Sequence, residues 1–187
     1  MATRYLFYSH DGFGLGHVRR NAMIARAVLE ADPAAEVTLI TGLAVRPGWL
    51  GSTRGLRVVW VPPLLKDATG GYRSSGMPFE RAVGVRAARF SAEVARVAPH
   101  VVVVDRHPYG TAGELREGLE CARRDGAAVV LGLRDVLDEP RSVADELSGD
   151  GWRDVPELFS EVLVYGARHF VDHEREGSMR SGENARW

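Results

Sequence analysis

What most constrains this chain is an alternation running through most of its length. Short, nearly unbroken apolar runs each end in a polar or glycine-bearing cluster, and most are followed by a stretch with apolar residues at helical spacing. Residues 5–9 form the first run, which stops at His10-Asp11-Gly12-Phe13-Gly14-Leu15-Gly16-His17; Val18, Ala22, Ala25 and Leu29 then recur as on one helix face until Asp32-Pro33. Residues 37–41 and 56–61 form two further runs, the second closed by Pro62-Pro63. Residues 64–77, with Gly70-Gly71, Ser74-Ser75 and Gly76, read as a long mobile loop of the kind that is usually functional. Pro78 opens a helix with Phe79, Val83, Ala87, Phe90, Val94 and Val97 on one face, Arg81, Arg89 and Arg96 opposite, and Arg86 flanking the stripe. Four valines at 101–104 lead into Asp105-Arg106-His107-Pro108-Tyr109-Gly110, and Ala112, Leu115, Leu119 and Ala122 give the next helical stripe, closed by Asp125-Gly126. A run at 127–133 ends in Arg134-Asp135; a short helix through 144–147, another near 155–159 and a last strand at 161–165 complete the pattern.

Continuous apolar strands alternating with amphipathic helices predict an α/β fold: a single Rossmann-like, doubly wound parallel sheet with helices on both faces. The expected domain covers residues 1–168, and 169–187 read as a polar C-terminal tail or a truncated interdomain linker. The 24 basic and 25 acidic residues leave a formal net charge of −1, which removes any whole-domain drive toward nucleic acid or anionic membrane. The single cysteine, Cys121, has no internal disulfide partner, no run is long enough for a signal core or a membrane span, and a cytoplasmic location is expected.

In such a sheet, ligands bind outside the carboxyl ends of the strands, where three polar clusters land: 9–17, 105–109 and 134–135. Gly12, Gly14 and Gly16 let the backbone approach a ligand closely, and the helix starting near Gly16-His17 aims free N–H groups at the same space. A dinucleotide loop is disfavoured, because His17 stands where the third glycine belongs and no acidic residue follows Ile40-Thr41-Gly42. No Walker loop, nucleophile elbow or zinc-helix motif is present. His17 is the candidate general base. The positive end of a helix disfavours imidazolium, and a carboxylate partner offsets that cost; Asp105 is the candidate, with a loop or helix cap as the alternative role. His10, Asp11, His107, Tyr109, Arg134 and Asp135 are the further candidate substrate-binding residues, and the spacing of His10, His17, Asp105 and His107 offers no specific metal motif. The arginines at 81, 86, 89 and 96 read as a solvated helix face, with Glu93 placed to pair with Arg89.

The segments Ser9 to Asn21, Val104 to Gly110 and Val130 to Asp138 together resemble the amino-terminal domain of predicted glycosyltransferases of the GT-B fold, related to MurG-type N-acetylglucosaminyltransferases, over most of residues 3–166. The resemblance implies a hydroxyl-acceptor-binding half with His17 as base or acceptor-positioning residue, Asp105 as its partner, and inverting, metal-independent transfer without a further cofactor. A complete enzyme of this kind holds its nucleotide-sugar donor in a second Rossmann-like domain. Residues 172–187 show no donor-binding pattern, so the expectation is a chain inactive alone, completed by a donor-binding chain or domain, or else a homo-oligomer. The alternative is a noncatalytic binding or interaction module derived from that fold.

Overall fold

The computed structural model describes residues 1–10, 15–66, 71–134, 152 and 154–166. Six parallel strands form the main sheet: β1 (Arg4–Ser9), β2 (Glu36–Thr41), β3 (Leu56–Trp60), β6 (Val101–Asp105), β7 (Ala128–Arg134) and β8 (Glu161–Tyr165). Their spatial order is β3-β2-β1-β6-β7-β8. The chain winds outward from β1 through β2 to β3, then crosses back to lay β6 on the other side of β1, so the winding direction reverses between β1 and β6. That doubly wound arrangement is the expected α/β class.

The unbroken apolar runs of the central strands β1, β2, β6 and β7 are explained by burial on both faces. Phe7 and Val103 face α1 (Gly16–Ala31), joining Val18, Ala22 and Ala25. Leu6, Tyr8, Val102 and Val104 face the opposite way, toward Phe90 and Val94 of α2 (Phe79–Val97) and Leu119 and Ala122 of α3 (Arg116–Arg124). A short α4 (Val155–Leu158) packs into the same core. Helix ends follow local chemistry: α1 stops at Asp32 before Pro33, and α2 closes on Ala98 in the left-handed region (φ 44°) before Pro99.

Three expectations need correction. Residues 64–77 are not simply an irregular loop: β4 (Leu64–Lys66) and β5 (Tyr72–Ser74) pair antiparallel as a hairpin, with Lys66 opposite Tyr72. The stripe from Ala112 does not begin a helix there; Ala112 is exposed with φ 53°, and α3 starts at Arg116. Arg86 is no part of a solvated face. The buried line on α2 is Ala82, Arg86, Phe90, Glu93, Val94 and Val97, because Arg86 finds an anionic partner in the interior. Glu93 pairs with Arg89 as expected, and also with Arg57 and Arg96. The helix expected at 144–147 and the tail at 169–187 lie outside the described residues.

Helices α2 and α3 approach closely because residue 118 is glycine. A Cβ there would stand 2.5 Å from Cδ1 of Phe90, a fully buried ring packed edge-on against Tyr8 at 5.5 Å. Gly118→Ala is therefore expected to cost about 1–3 kcal/mol in urea unfolding. Gly84→Ala, on the open side of α2, should instead stabilise by up to about 1 kcal/mol. Equal effects of the two would show that the helices are not in contact at residue 118.

Candidate functional site

The reversal between β1 and β6 brings the ends of those strands together with the start of α1. Helix α1 begins at Gly16 without a side-chain cap at Leu15, and its positive dipole end lies at the carboxyl edge of the sheet. His17 lies in that turn, with Arg20 and Asn21 three and four residues on and hence on the same helix face. All three converge on Asp105, the last residue of β6 and fully buried.

The His17 Nδ1 to Asp105 Oδ2 distance is 3.1 Å, and the histidine side chain is 25% exposed. A carboxylate only accepts, so Nδ1 carries the proton and donates it, and Nε2 is the ring nitrogen turned away from the aspartate. Asn21 Nδ2 also donates to Oδ2, at 3.5 Å, and Arg20 Nη1 lies 3.6 Å from Oδ1. The backbone beyond Asp105 is unusual: Arg106 holds φ 70°, a left-handed conformation rare for a side chain of its size, while its N–H donates to Gly132 O at 2.8 Å. Such outliers concentrate at functional sites.

Beside the pair, the His10 and His107 rings stand 4.6 Å apart, edge to face, with His17 and Tyr72 each 5.9 Å from His10. Burial is the main reason the His10 imidazole is pushed down to about 3, with His107, His17, Arg86 and Arg106 adding to it. His107 is pushed down to about 4, again chiefly by burial, then by Arg106, His17 and Lys66 against the opposing pull of Asp105. At neutral pH both are uncharged imidazoles. They supply ring faces and neutral hydrogen-bonding groups next to His17.

The sequence-derived candidates therefore divide. His10, His17, Asp105 and His107 come together around the switch point. Gly16 opens α1, with open space where a side chain would project. Tyr109 is instead part of the core, 6.2 Å from Phe159 and beneath Arg116 at 3.9 Å. Arg134 ends β7 at the carboxyl edge of the sheet. Asp11, Gly12, Gly14 and Asp135 lie outside the described residues. Among the described residues, no three or more His, Cys, Asp or Glu side chains are grouped to hold a metal ion, and no helix is long and apolar enough to cross a membrane.

Sequence reasoning missed Arg20, Asn21 and Tyr72. The first two carried a usable signal, since residues at i+3 and i+4 from a helical His17 must share its face. Tyr72 carried none, because its place depends on a hairpin of three-residue strands too short to show alternation.

Fold and site together define a doubly wound α/β domain with an imidazole–carboxylate pair at its switch point. No family model matches the sequence, and no curated protein matches it. Among solved structures the chain is similar to the crystal structure of a UGT transferase from Siraitia grosvenorii in complex with UDP, at 15% identity and a TM-score of 0.45. The similarity covers 83% of this chain and 34% of that one, so the chain spans about a third of that protein's length.

Proposed function

We propose that this chain is the acceptor-binding half of a glycosyltransferase, with His17 as general base and Asp105 as the carboxylate that orients it. The observation that supports the reading is the 3.1 Å contact from His17 Nδ1 to Asp105 Oδ2 at the switch point, a geometry that suits Nε2 to the role of proton acceptor. In the proposed step, Nε2 takes the proton of the acceptor hydroxyl. The hydroxyl oxygen attacks the anomeric carbon of a nucleotide sugar, and the bond to the nucleotide diphosphate breaks, the diphosphate leaving with the electron pair. The aspartate stabilises the imidazolium that results. The positive dipole end of α1 favours negative charge developing nearby. The donor is held by a second Rossmann-like unit, in another chain or in further sequence, and no metal ion takes part.

The test is sugar transfer from nucleotide-sugar donors to hydroxyl acceptors, measured with this chain paired to its donor-binding half. His17→Ala is expected to lower turnover by about 10²–10⁴-fold, and a chelator to leave it unchanged. Equal transfer by the wild type and His17→Ala would sink the reading.

A further inference from the structure

The Asp105 carboxylate has more around it than the histidine. Oδ2 serves His17 and Asn21, while Oδ1 makes no hydrogen bond among the described residues and faces the Arg20 guanidinium at 3.6 Å. Arg20 Nη1 likewise makes no hydrogen bond there, so this pair acts through charge rather than through directed bonding. The guanidinium is held from its other side, its Cζ lying 4.8 Å from the ring centre of Tyr165, the last residue of β8.

Tyr165 reaches that position across the neighbouring strand. A Cβ built on Gly132 of β7 would fall 1.9 Å from the Tyr165 hydroxyl and 2.5 Å from Cζ, so no side chain at 132 can coexist with the ring where it lies. Gly132 is the register partner of Asp105. The tyrosine thus lies over the β7 position paired with Asp105, and its hydroxyl is pushed up to about 12 by burial and then by Asp105, with Arg20 opposing.

We propose that Arg20, held by the Tyr165 ring, is the positioning residue that turns the Asp105 carboxylate toward His17, and that Gly132 is the opening that admits Tyr165. The proposal rests on the His17–Asp105 pair described above. Two donors on Oδ2 alone leave the carboxylate able to rotate about its Cβ–Cγ bond. A cation fixed on the Oδ1 side removes that freedom, and with it the competing His17 tautomer in which Nε2 carries the proton and cannot act as base. Because the cation is anchored on β8, the outermost strand on that side, the dyad is tied to the far edge of the sheet as well as to α1.

The experiment reads the His17 tautomer directly, by long-range proton–nitrogen correlation on the full chain with labelled histidine at pH 8.5, the His17 signal being identified by its loss in His17→Gln. Wild type is expected to show predominantly Nδ1–H, and Asp105→Leu to lose that predominance. Arg20→Met, Tyr165→Ala and Gly132→Ala should each lower the Nδ1–H to Nε2–H ratio several-fold, while Tyr165→Phe, which keeps the ring, should hold it at the wild-type value. Should Arg20→Met fail to fold, the contrast between Tyr165→Ala and Tyr165→Phe decides the question. If Asp105→Leu shifts the ratio and the other variants match wild type, the positioning role is overturned while the dyad stands. If Asp105→Leu also leaves the ratio unchanged, the dyad itself falls.

Discussion

Arg86→Met is expected to remove about 3–5 kcal/mol of folding stability, a large fraction of what a domain of this size possesses. Arg86 and Glu114 are both fully buried. The guanidinium donates from Nε to Oε2 at 2.5 Å, from Nη2 to Oε1 at 2.8 Å and to the Tyr8 hydroxyl at 2.6 Å, and from Nη1 to Pro62 O at 2.7 Å. Tyr8 in turn donates to Glu114 at 2.5 Å. Every guanidinium nitrogen donates and four of its five N–H groups are matched, which meets most of the condition under which an ion pair is tolerated in an interior. Methionine fills much of the volume but leaves Glu114 a buried carboxylate without its countercharge. Adding Glu114→Leu should recover part of the loss, because removing both charges costs less than stranding one. Recovery will stay incomplete, since Pro62 O and the Tyr8 hydroxyl lose partners as well. Urea unfolding at pH 7 measures all three proteins, and a single-variant loss below about 1 kcal/mol would mean that the pair does not carry this weight.

The second large effect is on acid stability. His10 and His107 are held neutral in the folded chain, down to about 3 and about 4, whereas each titrates near 6.5 when exposed. Above pH 6.5 neither state binds these protons, and stability is at its full value. As pH falls below 6.5 the unfolded chain takes up two protons that the folded chain refuses, so stability declines by about 1.4 kcal/mol per pH unit for each histidine, until the folded-state values are reached. By pH 5 the loss is of the order of 3–4 kcal/mol. Glu93, whose carboxyl is held below its ordinary 4.5 by Arg57 and Arg96 despite the opposing effect of burial, adds its own loss only under more acid conditions. Between pH 6.5 and 4.5 the loss from these two histidines therefore precedes that from Glu93. His10 Nδ1 makes no hydrogen bond among the described residues, so His10→Phe should be mild at pH 7 and should roughly halve the acid slope. An unchanged slope in that variant would show that His10 protonates freely in the native state.

The alternation of apolar runs and helical stripes was enough to read the winding of the sheet, since burial on both faces leaves a strand no polar positions and therefore a strong signal. The last strand was read at 161–165, its observed extent. The same logic misplaced Arg86, because a stripe read by apolarity passes over a charged residue at its centre. Ala82, Phe90 and Val94 flank it at four-residue steps, and that spacing was the available clue. Its partner, Glu114, lies 28 residues away, beyond any local pattern. At the site, strand-end logic reached His10, His17, Asp105 and His107, whereas Tyr165 could be found only by knowing which strand lies beside β7 and that Gly132 leaves room for it.

The turn after β6 contains four residues with positive φ within eight positions: Arg106, Gly110, Ala112 and Gly113. Two of them carry side chains that do not favour that conformation. Its path is imposed from beneath, where Glu114 Oε1 accepts the Thr111 N–H at 3.3 Å and is itself gripped by Arg86. Its near end is fixed as well, Arg106 N–H donating to Gly132 O and His107 N–H to Asp105 O. The segment that carries His107 to the side of His17 thus hangs between the sheet and the buried arginine–glutamate pair, so a change in that pair is transmitted to the site as well as to the core.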